Sequence, residues 1–189
     1  MKFTYVFGLL LAFGVLFGAT AKAEEYAIDK EGAHAFITFK ISHLGFSFIH
    51  GRFDNFDGQF SFDEFEPEKA KIEVEIDTAS VNTNHDRRDK HIRNEDFLDV
   101  SKFPKAKFVS TGVKVTGDKT ADVTGNLTLM GVTKPIILKA RYLGGGADPW
   151  GGTRAGFEAT TAINMSDWPF KKQYGEIEFD LTVEGIQKK

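Results

Sequence analysis

Apolar and polar side chains alternate along most of this chain. Ala70, Ile72, Val74 and Ile76 are interleaved with Lys71, Glu73 and Glu75. Ala121, Val123, Leu127 and Leu129 alternate with Asp122, Asn126 and Thr128. Ile177, Phe179, Leu181 and Val183 alternate with Glu176, Glu178, Asp180, Thr182 and Glu184. A period of two buries one face of a strand and wets the other. The pattern predicts strands near 26–29, 34–41, 51–62, 69–78, 104–115, 120–130, 133–144, 153–164 and 174–186. With no clear core helix, such a chain is all-β. It makes an antiparallel meander, either closed on itself or packed as two sheets.

Two segments depart from the alternation. Residues 42–50 read as a short helical turn. Residues 84–99 read as the one helix, with Asn82 or Asn84 as N-cap and Asp86 in its first turn. That helix is polar: within 84–93 only Ile92 is apolar, so it needs Phe97 and Leu98 to pin it to the sheet. Gly144 to Gly146 and Asp148 to Gly152 read as a long hairpin loop, and Gly131 with Pro135 as a tight turn and strand start.

The chain divides into residues 1–23, a secretory leader, and 24–189, a single domain. Lys2 precedes an apolar run from Phe3 to Gly18, and Ala21-Lys22-Ala23 is a small-x-small processing site. The expected product is exported. Cysteine is absent, which excludes thiol chemistry, disulfides and a lipoprotein anchor. Without Lys2 and Lys22, 22 basic residues face 27 acidic ones, a balance that disfavours nucleic acid.

Phe supplies 19 residues, too many for one face of the predicted strands. Phe36 has the opposite parity to Ile37, Phe39 and Ile41, so some rings need a second apolar environment: an outer helix, a partner or a ligand. Catalytic and metal signals are weak. His34, His43, His50, His85 and His91 form no pair at i, i+2 or i, i+4, and His85 with Asp89 is a thin ligand set. No G-x-S-x-G occurs, and Ser47, His50 and Asp54 are the nearest approach to a hydrolytic set. Arg87, Arg88, His91 and Arg93 suit a phosphate or carbonyl, although Asp86, Asp89, Glu95 and Asp96 are equally placed to absorb their charge.

Several segments together resemble the YceI-like family of lipid-binding proteins. They are Tyr26 to Phe36, His43-Leu44-Gly45, Phe56-Asp57-Gly58, Thr83-Asn84-His85 leading to Arg88-Asp89-Lys90-His91, Gly125 to Leu129 with Gly131 to Pro135, and Asp148 to Gly152 with Arg154 to Ala159. Asn164 to Phe170 departs from the family's more usual Asp-Phe segment, at one barrel end. The resemblance implies an extended lipocalin-like antiparallel β-barrel holding an isoprenoid chain, ubiquinone-like or polyprenyl phosphate, with no required cofactor and no catalysis. It also implies a periplasmic location, and leaves room for a homodimer and transient membrane contact. A fatty acid or fatty amide carrier, or a stress-protective interaction barrel, are the alternatives. On this reading Phe36, Phe39, Leu44, Phe46, Phe60, Phe62, Phe108, Leu127, Leu129, Phe157 and Phe179 line the tunnel. His43, Arg88 and His91 meet the head group.

Overall fold

The computed structural model describes residues 23–189; the expected leader lies outside them apart from its last position. Eleven strands form: β1 (Glu24–Ile28), β2 (Phe36–His43), β3 (Ser47–Phe53), β4 (Phe56–Phe62), β5 (Lys71–Asp77), β6 (Val81–Asn82), β7 (Lys105–Gly117), β8 (Thr120–Leu129), β9 (Val132–Ala147), β10 (Thr153–Asn164) and β11 (Glu176–Gln187). One helix, α1 (Asp86–Ile92), precedes β7. Three chain passes are each interrupted once, between β1 and β2, β3 and β4, and β5 and β6. Counted as passes, the chain is an eight-stranded antiparallel meander, and β11 closes it by pairing with both β1 and β2. The longest strand, β9, extends over about 50 Å at roughly 3.4 Å per residue.

The predicted helical turn at 42–50 is instead a hairpin. Ile41 pairs with Ile49 and His43 with Ser47, leaving only residues 44–46 to turn. Ile41 and Ile49 share the inner face, and that burial outweighs the weak local helical signal. The predicted helix is also shorter than 84–99. His85 caps it by accepting the Arg88 N–H at 3.2 Å, and Asn84 sits at φ 59° just before. After Ile92 the chain turns repeatedly, with Leu98 N–H bonded to the Ile92 carbonyl.

In an antiparallel meander, successive connections alternate between the two barrel ends. Residues 44–46, 83–104, 130–131 and 165–175 therefore gather at one end, with α1. Residues 63–70, 118–119 and 148–152 gather at the far end, beside Glu24 and Gln187. The α1 end is packed with buried Val81, Leu98, Met130, Met165, Trp168 and Phe170. There β9 and β10 stop pairing after Lys139 and Thr160. The chain after β10 seals that gap: Trp168 is buried and donates from Nε1 to the Val132 carbonyl at 3.1 Å. Asn164 to Phe170 is thus a plug in the wall.

The outer face belongs in water. Lys107–Glu73, Lys139–Asp122, Arg141–Glu158 and Lys40–Glu178 pair across neighbouring strands. Such exposed pairs contribute up to about 1 kcal/mol each, but their charge is incompatible with a lipid-facing barrel exterior.

A tighter cluster fastens the break between β1 and β2. Arg154 donates from Nη1 to Asp29 Oδ2 at 2.6 Å and to Glu184, and from Nε to Asp148 Oδ2 at 2.8 Å. His34 Nδ1 lies 3.0 Å from Asp29, whose side chain is 3% exposed. Asp29, His34 and Glu184 approach closely enough to hold a metal ion, but the Arg154 guanidinium already serves as their cation. Its hydrogen bond holds the Asp29 carboxyl down at about 2 against the upward push of burial, helped by His34 and the Gly32 N–H.

A carboxyl depressed on folding stabilises the fold fully above its unfolded value, near 3.9, and loses that contribution as pH falls through the folded value. Asp29→Asn should cost about 3 kcal/mol near neutrality, because it unbalances a buried pair. It should also flatten the loss of stability between about pH 4 and pH 2. Urea titrations of both proteins across that range check this.

Candidate functional site

The barrel is hollow. Along β11 the outward residues are exposed, while the inward Ile177, Phe179, Leu181 and Val183 are only half-buried, because they border open space. That space is a cavity of about 820 Å³, toward the upper end of the roughly 300–1,000 Å³ found for small-molecule sites. Its wall is almost wholly apolar.

Two devices keep the lumen open. The first is a row of small residues. Ala121 pairs with Ala140, and Ala140 with Ala159, so three adjacent strands present methyl groups side by side to the cavity. The second is the seating of Phe rings on glycine. A β-carbon on Gly51 would strike the Phe39 ring, one on Gly125 the Phe108 ring, and one on Gly185 the Phe60 ring. Each ring lies over an inward-facing glycine instead of standing into the lumen.

Phe39, Leu44, Phe60, Phe62, Phe108, Leu127, Leu129, Phe157 and Phe179 line the cavity. Phe36 and Phe46 do not. Phe36 has the outward parity in β2, and Phe46 projects from the hairpin turn, 87% exposed. His43, Arg88 and His91 all border the cavity at the α1 end. The alanine row and the seating glycines escaped the sequence reading, which followed large apolar residues. The visible signal was period-two placement of small ones, as in Ile136, Leu138, Ala140 and Tyr142.

The ends differ chemically. At the far end a chain of rings runs from Tyr26 through Phe60, Phe157 and Phe62 to Tyr142, with centroids 4.9 to 5.4 Å apart. The Tyr142 hydroxyl donates to Glu64, and burial followed by that carboxylate raises its pKa. Glu64 and Asp118 make this end acidic, with Lys119 above the Tyr142 ring.

The α1 end is cationic. Arg88 donates from Nε to Thr83 Oγ1 at 2.7 Å and from Nη2 to the Thr83 carbonyl at 2.8 Å. Thr83 is itself fixed by buried Asp89, which accepts from its backbone N–H at 2.9 Å and from its hydroxyl. Asp89 thus orients Arg88 through Thr83. Among the described residues no carboxylate forms an ion pair with Arg88, so its charge is available at the cavity wall. His91 bonds Asp96 at 2.9 Å and meets the Phe97 ring edge-on, while Phe97 stacks with Tyr174. Lys172 and then His91 hold the Asp96 carboxyl low.

A sequence profile for the YceI-like domain matches residues 26–188. The chain belongs to the YceI-like family. A UPF0312 protein of Pseudomonas syringae pv. tomato is 58% identical over 184 residues, covering 96% of each chain. The crystal structure of a Campylobacter jejuni YceI protein is 31% identical, superposes with a TM-score of 0.72, and covers 79% of this chain and 91% of its own. A polyisoprenoid-binding domain from Saccharophagus degradans shares the fold, with a TM-score of 0.64 at 18% identity, covering 86% of this chain and 98% of its own. In YceI terms, the matched Thr83-to-His91 segment builds the Arg88 corner and the Asp148-to-Arg154 segment builds the seam.

The other candidate chemistries come apart in three dimensions. Ser47 and His50 lie on opposite faces of β3, and Asp54 accepts from Arg52 and Asn82. His85 is spent on capping and Asp89 on Thr83. Arg93 bonds the Ala79 and Val81 carbonyls.

Ala140 lies in the middle of the alanine row. Ala140→Phe should abolish most binding of an apolar fluorescent dye while costing less than the roughly 1–3 kcal/mol usual for overpacking, since it enters empty space. Thr160→Phe, outward on β10, should leave dye binding unchanged. Dye titration together with thermal melting of both variants measures this.

Proposed function

We propose that this YceI-like protein is an exported, non-catalytic carrier that encloses a long-chain isoprenoid lipid in its barrel. The observation that supports this most is the continuous apolar cavity of about 820 Å³ running between two chemically different ends. A lipid chain lying in such a cavity gains about 0.8 kcal/mol per buried CH₂. Binding can therefore be tight with few polar contacts. Polyisoprenoid binding by the Saccharophagus degradans domain, which shares this fold, supports the choice of ligand. The separation of Ser47, His50 and Asp54 favours carriage over turnover.

The head group belongs at the α1 end in this reading. Arg88 is oriented by Thr83, faces the cavity and has no carboxylate partner there, whereas at the far end Glu64 and Asp118 outnumber Lys119 and disfavour an anion. His43 and His91 border the cavity at the same end. A phosphate or a quinone carbonyl can each accept hydrogen bonds from a guanidinium. Periplasmic export rests on the leader pattern of residues 1–23.

Mass spectrometry of organic extracts from the natively produced protein tests the proposal. An isoprenoid in near-stoichiometric amount is expected; a fatty acid in its place would reassign the ligand. Arg88→Gln should weaken an isoprenoid phosphate about tenfold or more, the loss expected for a charged hydrogen bond. It should leave an uncharged isoprenoid hydrocarbon nearly unaffected. Equal losses for both would remove Arg88 from the head-group site.

A further inference from the structure

The β2–β3 hairpin carries bulky apolar side chains that the closed barrel does not use. Leu44 is 71% exposed and Phe46 is 87% exposed, with Phe48 half-exposed behind them. Leu44 and Gly45 turn the chain at φ 58° and 77°, and the Phe46 N–H bonds the His43 carbonyl. The tip therefore projects as a defined turn. Leu44 also belongs to the cavity wall, so apolar surface continues from the lumen to the outermost point of the hairpin.

Charge separates this tip from the other exposed aromatics. Phe65, 89% exposed at the far end, stands among Asp63, Glu64, Glu66 and Glu68. Trp150 is already stacked against Arg154. At the hairpin's end of the barrel, α1 instead carries Arg87, Arg88 and Lys90, none in an ion pair among the described residues, against Asp86 and the buried Asp89. A cation near an anionic bilayer surface contributes about 1 kcal/mol, and interfacial aromatic and leucine side chains enter the head-group region.

We propose that the β2–β3 tip inserts into the surface of an anionic lipid bilayer, with Phe46 and Leu44 as anchors and the α1 cations against the head groups. This rests on the carrier reading and gives it a loading end. With the tip inserted, an isoprenoid chain passes from bilayer to lumen along Leu44 without crossing water. The acidic far end faces away.

The test uses flotation with vesicles of phosphatidylglycerol mixed with phosphatidylcholine, with phosphatidylcholine alone as comparison. The protein should float with the anionic vesicles at low salt and be released as salt rises. Phe46→Asp should weaken that binding about tenfold or more, whereas Phe65→Asp should not. Phe46 lies outside the cavity, so Phe46→Asp should still take up an isoprenoid alcohol delivered in vesicle-free buffer. Unchanged flotation of Phe46→Asp, or no flotation of the parent protein, overturns the docking surface and leaves the carrier reading standing. Phe46-dependent flotation without uptake from buffer supports the docking surface and overturns the carrier reading. Phe46→Trp provides a second readout: its fluorescence should shift to the blue on anionic vesicles, and an unshifted spectrum counts against insertion.

Discussion

The architecture depends on one guanidinium. Arg154 on β10 reaches Asp29, Asp148 and Glu184, and so ties the break between β1 and β2 to the β9–β10 loop and to β11. That break allows a single pass of chain to pair with β11 at two separated places, first through β1 and then through β2. The ladders of β11 with β1 and β2 close the barrel, and the Arg154 cluster fixes the kink between those two ladders. One guanidinium gathers three carboxylates there, and the burial of Asp29 strengthens its pairing. A closed barrel is thereby held by backbone ladders, this partly buried ionic cluster and exposed cross-strand pairs such as Lys40–Glu178, without disulfides.

A hollow interior is a harder requirement than a closed one. Apolar side chains facing each other across a small barrel tend to fill it. Here the wall facing the lumen alternates between alanines, which leave space, and aromatic rings laid over glycines, which cover wall without crossing the lumen. The space is then bounded by different chemistry at its two ends. At one, an arginine is oriented by a threonine that a buried aspartate fixes; at the other, tyrosines meet carboxylates. A molecule with one long apolar part and one anionic end fits that asymmetry in a single orientation.

Strand alternation made most of the fold legible in the sequence, and for a physical reason: each inward residue meets apolar surface and each outward one meets water. Where that rule is interrupted, reading fails. A bulge between Ser110 and Gly112 moves the inward set of β7 from Ala106 and Phe108 to Val113 and Val115, a parity change marked in the sequence only by Gly112 within the strand. Residues 42–50 looked helical because the pairing of Ile41 with Ile49 is a tertiary fact. Phe36 and Phe46 are as apolar as Phe39, yet one faces outward and the other leaves the barrel altogether. The run of basic residues brought Arg88 forward together with Arg87, His91 and Arg93, but its availability follows only from seeing both its side-chain bonds go to Thr83.

The pairing of Tyr26 with Gln187 joins nearly the two ends of the described chain. Contacts of such high sequence separation are costly to form, and topologies built on them fold slowly. Until β11 docks, the inner face of every other strand lies open to solvent, and no enclosed space exists to be occupied. The lumen exists only once β11 has paired with both β1 and β2. A lipid already lying across that open apolar face would lower the cost of leaving it exposed and be enclosed as the seam closed.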